Sequence, residues 1–145
     1  MSTIDLRAFE RRTYEEVNKG KAAAMARLDE AYATSIVFHT GTGMDIRGLK
    51  DVKQYFSVLY DAFPDAHYTL EDMIVEGNKA TVRWIVTATH KGVFMGIPPT
   101  NKKVTMWGID ILRFAGGKLV EFWSTSDSLP AMQQIGVIPT PGKGK

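Results

Sequence analysis

Two side chains in this sequence of 145 residues are suited to moving a proton under mild conditions. His39 closes the apolar run Ile36-Val37-Phe38. An imidazole titrating near its ordinary value of about 6.5 can take a proton from carbon beside a carbonyl. Asp110 stands in the strand-like run Trp107-Gly108-Ile109-Asp110-Ile111-Leu112-Arg113-Phe114. Such neighbours strip water from a carboxyl, raise its pKa and can keep it neutral near pH 7, when it can donate a hydrogen bond to a developing oxyanion. Phe122, Ser124 and Ser126 share one parity, so on a strand beside Asp110 they would face the same side and shape a pocket. Tyr14, or Thr13 next to it, could project a hydroxyl inward from an N-terminal helix, and Trp84 reads as core with a share in any cavity wall. His90, in Thr89-His90-Lys91-Gly92, reads as a turn or pocket-rim residue, His67 as a surface residue and Asp127 as a helix cap or turn residue.

Composition narrows the chemistry further. The absence of cysteine removes thiol nucleophiles, thiolate metal sites and redox switching. Three histidines with no pair at ligand spacing leave no expected metal site, and neither a glycine-rich phosphate loop nor a Gly-x-Ser-x-Gly elbow occurs. Cofactor-free chemistry is the expectation. A net charge of +2, scattered among acids, gives no basic stripe for phosphates, so nucleic acid is not expected as a partner. No apolar run approaches the ~18 residues of a membrane span, and the charged N-terminus lacks the apolar core of a signal peptide. A cytoplasmic protein is expected.

These residues need elements to hold them. Apolar residues at spacings of three and four predict helices over 4–19, 21–32 and 48–62, with Ser2, Thr3 or Asp5 as the first cap, Gly20 as a stop and Pro64 ending the third. A short strand is expected over 35–39, before the Gly41-Thr42-Gly43 loop. Four long strands follow over 67–76, 79–90, 103–114 and 118–126, joined in part by the tight turns Gly77-Asn78 and Gly116-Gly117. A last short helix fits 129–135. Helices first and a meander after define an α+β fold, expected as one domain over residues 1–138 with a flexible tail over 139–145. Several strands are apolar on both faces, so the second face should be covered, most simply by another copy of the chain in a homodimer.

The local wording is more specific than the plan. Phe63-Pro64-Asp65, Glu76-Gly77-Asn78-Lys79, Thr89-His90-Lys91-Gly92 running to Ile97-Pro98-Pro99-Thr100, Gly117-Lys118-Leu119-Val120-Glu121-Phe122-Trp123 and Gln133-Gln134-Ile135-Gly136 resemble the SnoaL-like polyketide cyclases, often labelled ester cyclases, of the nuclear transport factor 2-like superfamily. The resemblance implies a cone-shaped α+β barrel in which three N-terminal helices pack on a curved antiparallel sheet and enclose a pocket. It also implies a small apolar or aromatic carbonyl compound as ligand, and isomerisation or intramolecular aldol-type cyclisation as reaction. By likeness to the related ketosteroid isomerases, His39 falls at the strand end that holds the general base, and Asp110 at the position of the neutral acid. Two departures stand out. The cyclases carry a catalytic aspartate seven residues after the glycine of the Gly-Lys turn, where this chain has Ser124, and Asn101 replaces the glycine that usually follows Pro-Pro-Thr. The missing carboxylate keeps open a non-catalytic small-molecule binder or dimerisation module with the same pocket, and an auxiliary subunit beside a separate oxidoreductase is a third reading.

Overall fold

The computed structural model describes residues 4–139. Residues 1–3, with the capping candidates Ser2 and Thr3, and residues 140–145 of the expected tail lie outside the described residues. Helix α1 (Leu6–Val17) opens at Asp5, whose carboxylate accepts from the amides of Arg7 and Ala8 at 3.0 and 3.2 Å. Helix α2 (Lys21–Ala31) follows Gly20 and runs directly into strand β1 (Tyr32–His39). The short strand β2 (Asp45–Arg47), helix α3 (Leu49–Ala62) and four long strands come next: β3 (His67–Glu76), β4 (Lys79–Thr89), β5 (Lys103–Ala115) and β6 (Lys118–Ser126). Helix α4 (Ser128–Gln134) closes the order.

The α+β expectation holds, with four helices on one curved, unclosed six-stranded sheet in the order β2-β1-β6-β5-β4-β3. The sheet departs from the all-antiparallel expectation at one seam. β1 and β6 run parallel, pairing Phe38 with Phe122 and His39 with Trp123, because the long excursion through β3 to β5 returns the chain to β1 in the same direction. Strand β1 also begins at Tyr32 rather than Ser35, and β2, absent from the sequence reading, is a three-residue edge that pairs with β1 across the glycine loop. Asp127 does not cap α4 with its side chain; its carboxylate accepts from the Trp107 amide at 2.8 Å and extends the β5 ladder instead. Asn101 takes up a φ of +57°, the left-handed region its side chain tolerates.

Alternation along the strands sorts the sheet into two faces. Val82, Trp84 and Val86 of β4, Leu112 and Phe114 of β5 and Phe122 of β6 point inward to a core that also holds Leu6, Leu28, Ile36, Phe38 and Val52. Phe38 is its aromatic centre, stacked on Phe122 at 4.1 Å and on Phe56 at 5.7 Å and met edge-on by Tyr55. The outer face leaves Trp107, Ile111, Trp123 and Ile74 exposed.

Candidate active site

The core is hollow. A cavity of about 170 Å³ lies between the inner sheet face and helices α1, α2 and α3. The strand register lines up its sheet wall: Val82 opposes Asp110, Asp110 opposes Ser124, Trp84 opposes Gly108 and Gly108 opposes Ser126. Asp110, Ser124 and Ser126 thus share one face with Trp84 and Phe122, as their common parity predicted, and all five line the cavity. Gly108 makes room for this arrangement. A Cβ there would collide with Cζ2 of Trp84 and stand 2.7 Å from its Cε2. With that space free, the Trp84 indole N–H reaches back to donate to Asp110 Oδ1 at 3.1 Å.

Asp110 is raised from its ordinary value to about 6, chiefly because burial disfavours the charge; the Ser124 hydroxyl and then the Trp84 N–H pull the other way. The direction matches the sequence reading. At about 6 the carboxyl can take up and release a proton within reach of neutral pH.

Tyrosines from helices α1 and α3 and from strands β1 and β3 crowd the cavity wall. Tyr14, Tyr32, Tyr55 and Tyr68 line the cavity with hydroxyls that make no hydrogen bond to other described residues, and burial pushes each phenol up, so all four stay neutral donors. Between the two residues considered on α1, Tyr14 is the one with a free hydroxyl. Thr13 also lines the cavity, but its hydroxyl donates to Phe9 O and accepts from Arg27 Nε, both at 3.0 Å.

His39 is not part of this cavity. Ile36 and Phe38 point inward, so alternation sends His39 to the outer face. There its Nδ1 lies 2.7 Å from Asp45, its Nε2 lies 2.7 Å from Glu121, and its ring stacks on Trp123 at 5.0 Å. The Glu121 hydrogen bond, ahead of that from Asp45, raises the imidazole pKa against the opposing effect of burial. Arg113 completes the cluster on Glu121 at 3.0 Å. The strand-end expectation fails because it located the end of β1 without its phase, although the inward apolar pair at positions 36 and 38 carries that phase in the sequence.

His90 is also outside the cavity. Wholly buried after β4, it packs against Phe63 and Phe94 and pairs Nδ1 with the Thr100 hydroxyl at 3.0 Å, while its Nε2 has no partner among the described residues. It braces the β4–β5 connection rather than the pocket rim. Among the described residues, no three histidine, aspartate or glutamate side chains converge as a metal cradle.

Sequence reasoning missed Glu10. It lines the cavity from α1, only 5% exposed, one turn before Tyr14. Its signal was present, for it lies four residues after Leu6 and four before Tyr14, a charged residue on the apolar stripe of the helix. Arg27 of α2, 4% exposed, was missed likewise; it bonds Thr13 and the Phe9 carbonyl, lies over the Phe9 ring at 4.6 Å and pairs with Glu30 at 3.3 Å.

Helices laid against one face of a curved, open sheet with a cavity between them define a fold of the nuclear transport factor 2-like class. Solved structures of that shape include AclR of Streptomyces galilaeus, named as a candidate hydroxylase, at 25% identity over 92% of this chain and 82% of that one, with a TM-score of 0.82. IdmH of Streptomyces antibioticus, named as a candidate polyketide cyclase, shares 27% identity over 90% of this chain and 98% of its own, with a TM-score of 0.77. A candidate polyketide cyclase of Acidithiobacillus ferrooxidans shares 26% over 93% and 97%, with a TM-score of 0.70. No curated protein matches the sequence. Residues 9–135 match the SnoaL-like polyketide cyclase family, and the chain belongs to it.

Proposed function

We propose that the chain is a cofactor-free enzyme that transfers protons beside the carbonyl of an apolar or aromatic, polyketide-like compound, isomerising it or closing a ring by aldol-type addition. The observation that carries this reading is Asp110: a carboxylate in an aromatic cavity, held at Oδ1 by the Trp84 indole N–H and facing Ser124 on the same cavity wall. In the reaction the substrate Cα–H bond breaks, its proton goes to Asp110, and the electron pair moves through carbon to the carbonyl oxygen. Reprotonation at another carbon isomerises the compound. Attack of the enolate carbon on a second carbonyl closes a carbon–carbon bond, and the new alkoxide takes up a proton. The names of IdmH and of the Acidithiobacillus protein support this class of ligand. His39 has no part in the step; Tyr14, Phe122, Ser124 and Ser126 line the substrate's path.

The test needs no natural substrate. 2-Tetralone has acidic protons beside a carbonyl on an aromatic frame, and NMR follows their exchange in D2O. The wild type should exceed the buffer rate by at least about 10²-fold, in the range general base catalysis supplies. Asp110→Asn should lose most of that gain. A wild type that binds 2-tetralone without accelerating exchange would favour the second reading, a binder, which the serine at position 124 supports.

We also propose a homodimer across the outer sheet face, where Trp107, Ile111 and Trp123 stand 47, 43 and 37% exposed. Sedimentation should give a dimer that Ile111→Arg converts to a monomer. A wild-type monomer at micromolar concentration would remove the proposal.

A further inference from the structure

The cavity holds a second carboxyl that the reaction above does not use. Glu10 enters it from α1, opposite the sheet wall that carries Asp110, and its carboxyl makes no hydrogen bond among the described residues. Two of the neighbouring polar side chains, Arg27 and Thr13, are already engaged with other partners. Arg27 binds Thr13, the Phe9 carbonyl and Glu30, and Thr13 binds Phe9 and Arg27. A side chain that is buried, unpartnered and open to the cavity is poised to meet a ligand. Two carboxyls facing one small cavity cannot both ionise cheaply, so one of them keeps a proton.

We propose that Glu10 is the acid of this site, giving its proton to the substrate's carbonyl oxygen while Asp110 takes the proton from the adjacent carbon. The inference rests on the reading of Asp110 as the base and adds the group that receives the oxygen's charge. In the forward step the Cα–H bond breaks toward Asp110, a carbon–carbon double bond forms, and the carbonyl π pair becomes an O–H bond with the Glu10 proton. Asp110 ends neutral and Glu10 ends ionised. The enol then returns its O–H proton to Glu10 as Asp110 delivers its own proton to the new carbon, which restores both groups. One negative charge occupies the pair throughout and passes from the sheet wall to the helix wall. No net charge is created in the low-dielectric space, which is where an isolated enolate would be costly.

The groups facing Glu10 set the order of ionisation. Burial comes first and the charge of Asp110 on β5 second, pushing Glu10 up to about 8 against the opposing influence of Arg27 on α2. Tyr14 on α1 and Tyr32 on β1 are neutral phenols beside it. Asp110 titrates lower, at about 6, so between the two values the base is ready to accept and the acid is still loaded.

Carboxyl-labelled glutamate followed by 13C NMR tests the loaded acid without substrate. One resonance should titrate near pH 8, vanish in Glu10→Gln and move lower in Asp110→Asn. Glutamates that all titrate below about 6 would overturn the proposal. Binding of 2-naphthol, whose hydroxyl sits on an unsaturated ring carbon as an enol's does, tests the donation without turnover. Glu10→Ala should bind about tenfold more weakly than wild type, the effect of one lost hydrogen bond, and Glu10→Gln, which can still donate, should recover part of it. Equal affinity in all three proteins would overturn the donor role. In 2-tetralone exchange, the wild-type rate should rise with pH through about 6 and fall through about 8. Glu10→Gln should lose the falling limb, and a limb that persists would count against Glu10. Absence of exchange in the wild type removes the base reading alone, since the titration and the naphthol series still decide whether Glu10 holds and donates a proton.

Discussion

The two faces of this sheet carry acids of the same kinds with opposite behaviour. Inside, Glu10 and Asp110 face the cavity without a cation bonded to either, and burial drives both upward. Outside, Glu121 meets His39 at 2.7 Å and Arg113 at 3.0 Å, and those bonds hold it below the usual carboxylate range, His39 having the larger share. Strands β5 and β6 supply residues to both sites, and a shift of one position along either strand exchanges a reactive environment for a paired, solvated one. What an acid can do here follows from parity and pairing rather than from residue type.

The sharpest way to break the comparison is to remove one acid from each face. Asp110→Asn should cost about 10²- to 10³-fold in 2-tetralone exchange, whereas Glu121→Gln should leave the rate within about twofold of wild type. Comparable losses in both would mean that the outer cluster reaches the chemistry.

Stability against pH separates the faces next. Glu10 is raised from 4.5 to about 8, so between those values the folded chain keeps a proton that the unfolded chain has released, and stability falls as pH rises. Asp110 adds the same slope between 3.8 and about 6. Denaturant unfolding from pH 5 to 9 should show Glu10→Gln gaining on wild type by about 2 kcal/mol or more at the alkaline end, because one unpaired buried charge is gone. The outer pair divides, with Glu121 of the opposite sign and His39 of the same sign as the inner acids. Glu121, lowered from 4.5, contributes stability above that value that is lost as pH falls, and His39, raised from 6.5, contributes stability below that value that is lost as pH rises.

Gly108→Ala tests the geometry beneath the inner site. The added methyl collides with the Trp84 indole, so the variant should lose about 1–3 kcal/mol, the usual cost of overpacking. Asp110 should also titrate higher as its indole donor is displaced. An unchanged titration would show that Trp84 does not hold Asp110. The smallest effect belongs to the outer face. His39→Ala should cost no more than about 1 kcal/mol near pH 6, less at high salt, because its ion pairs are open to water.

The sequence exposed the face of Asp110, Phe122, Ser124 and Ser126 because period-two alternation survives in strands whose turns are marked by glycine. Three things were harder to read. The phase of β1 was legible from Ile36 and Phe38, but a strand end attracts attention by its location rather than its phase. Glu10 and Arg27 lie on apolar helix stripes, where a lone charge is easily taken for an edge residue until the opposing wall is known. The parallel seam between β1 and β6 has no local signal, since it pairs residues far apart in the chain, such as Phe38 with Phe122.

That seam also orders events in time. The hairpins β3–β4, β4–β5 and β5–β6 are built from neighbours in the chain and can close early, whereas the β1–β6 pairing pays a long loop-closure entropy. Phe38 meets Phe122 only when that pairing forms, so the aromatic floor of the cavity should be completed late in folding. Ribosome-bound chains lacking β6 would present the helices and the inner faces of β1 and β3–β5 without the strand that joins them. A ligand that fills the cavity would then act on the folding rate very little and on the unfolding rate strongly, lengthening the lifetime of the finished protein.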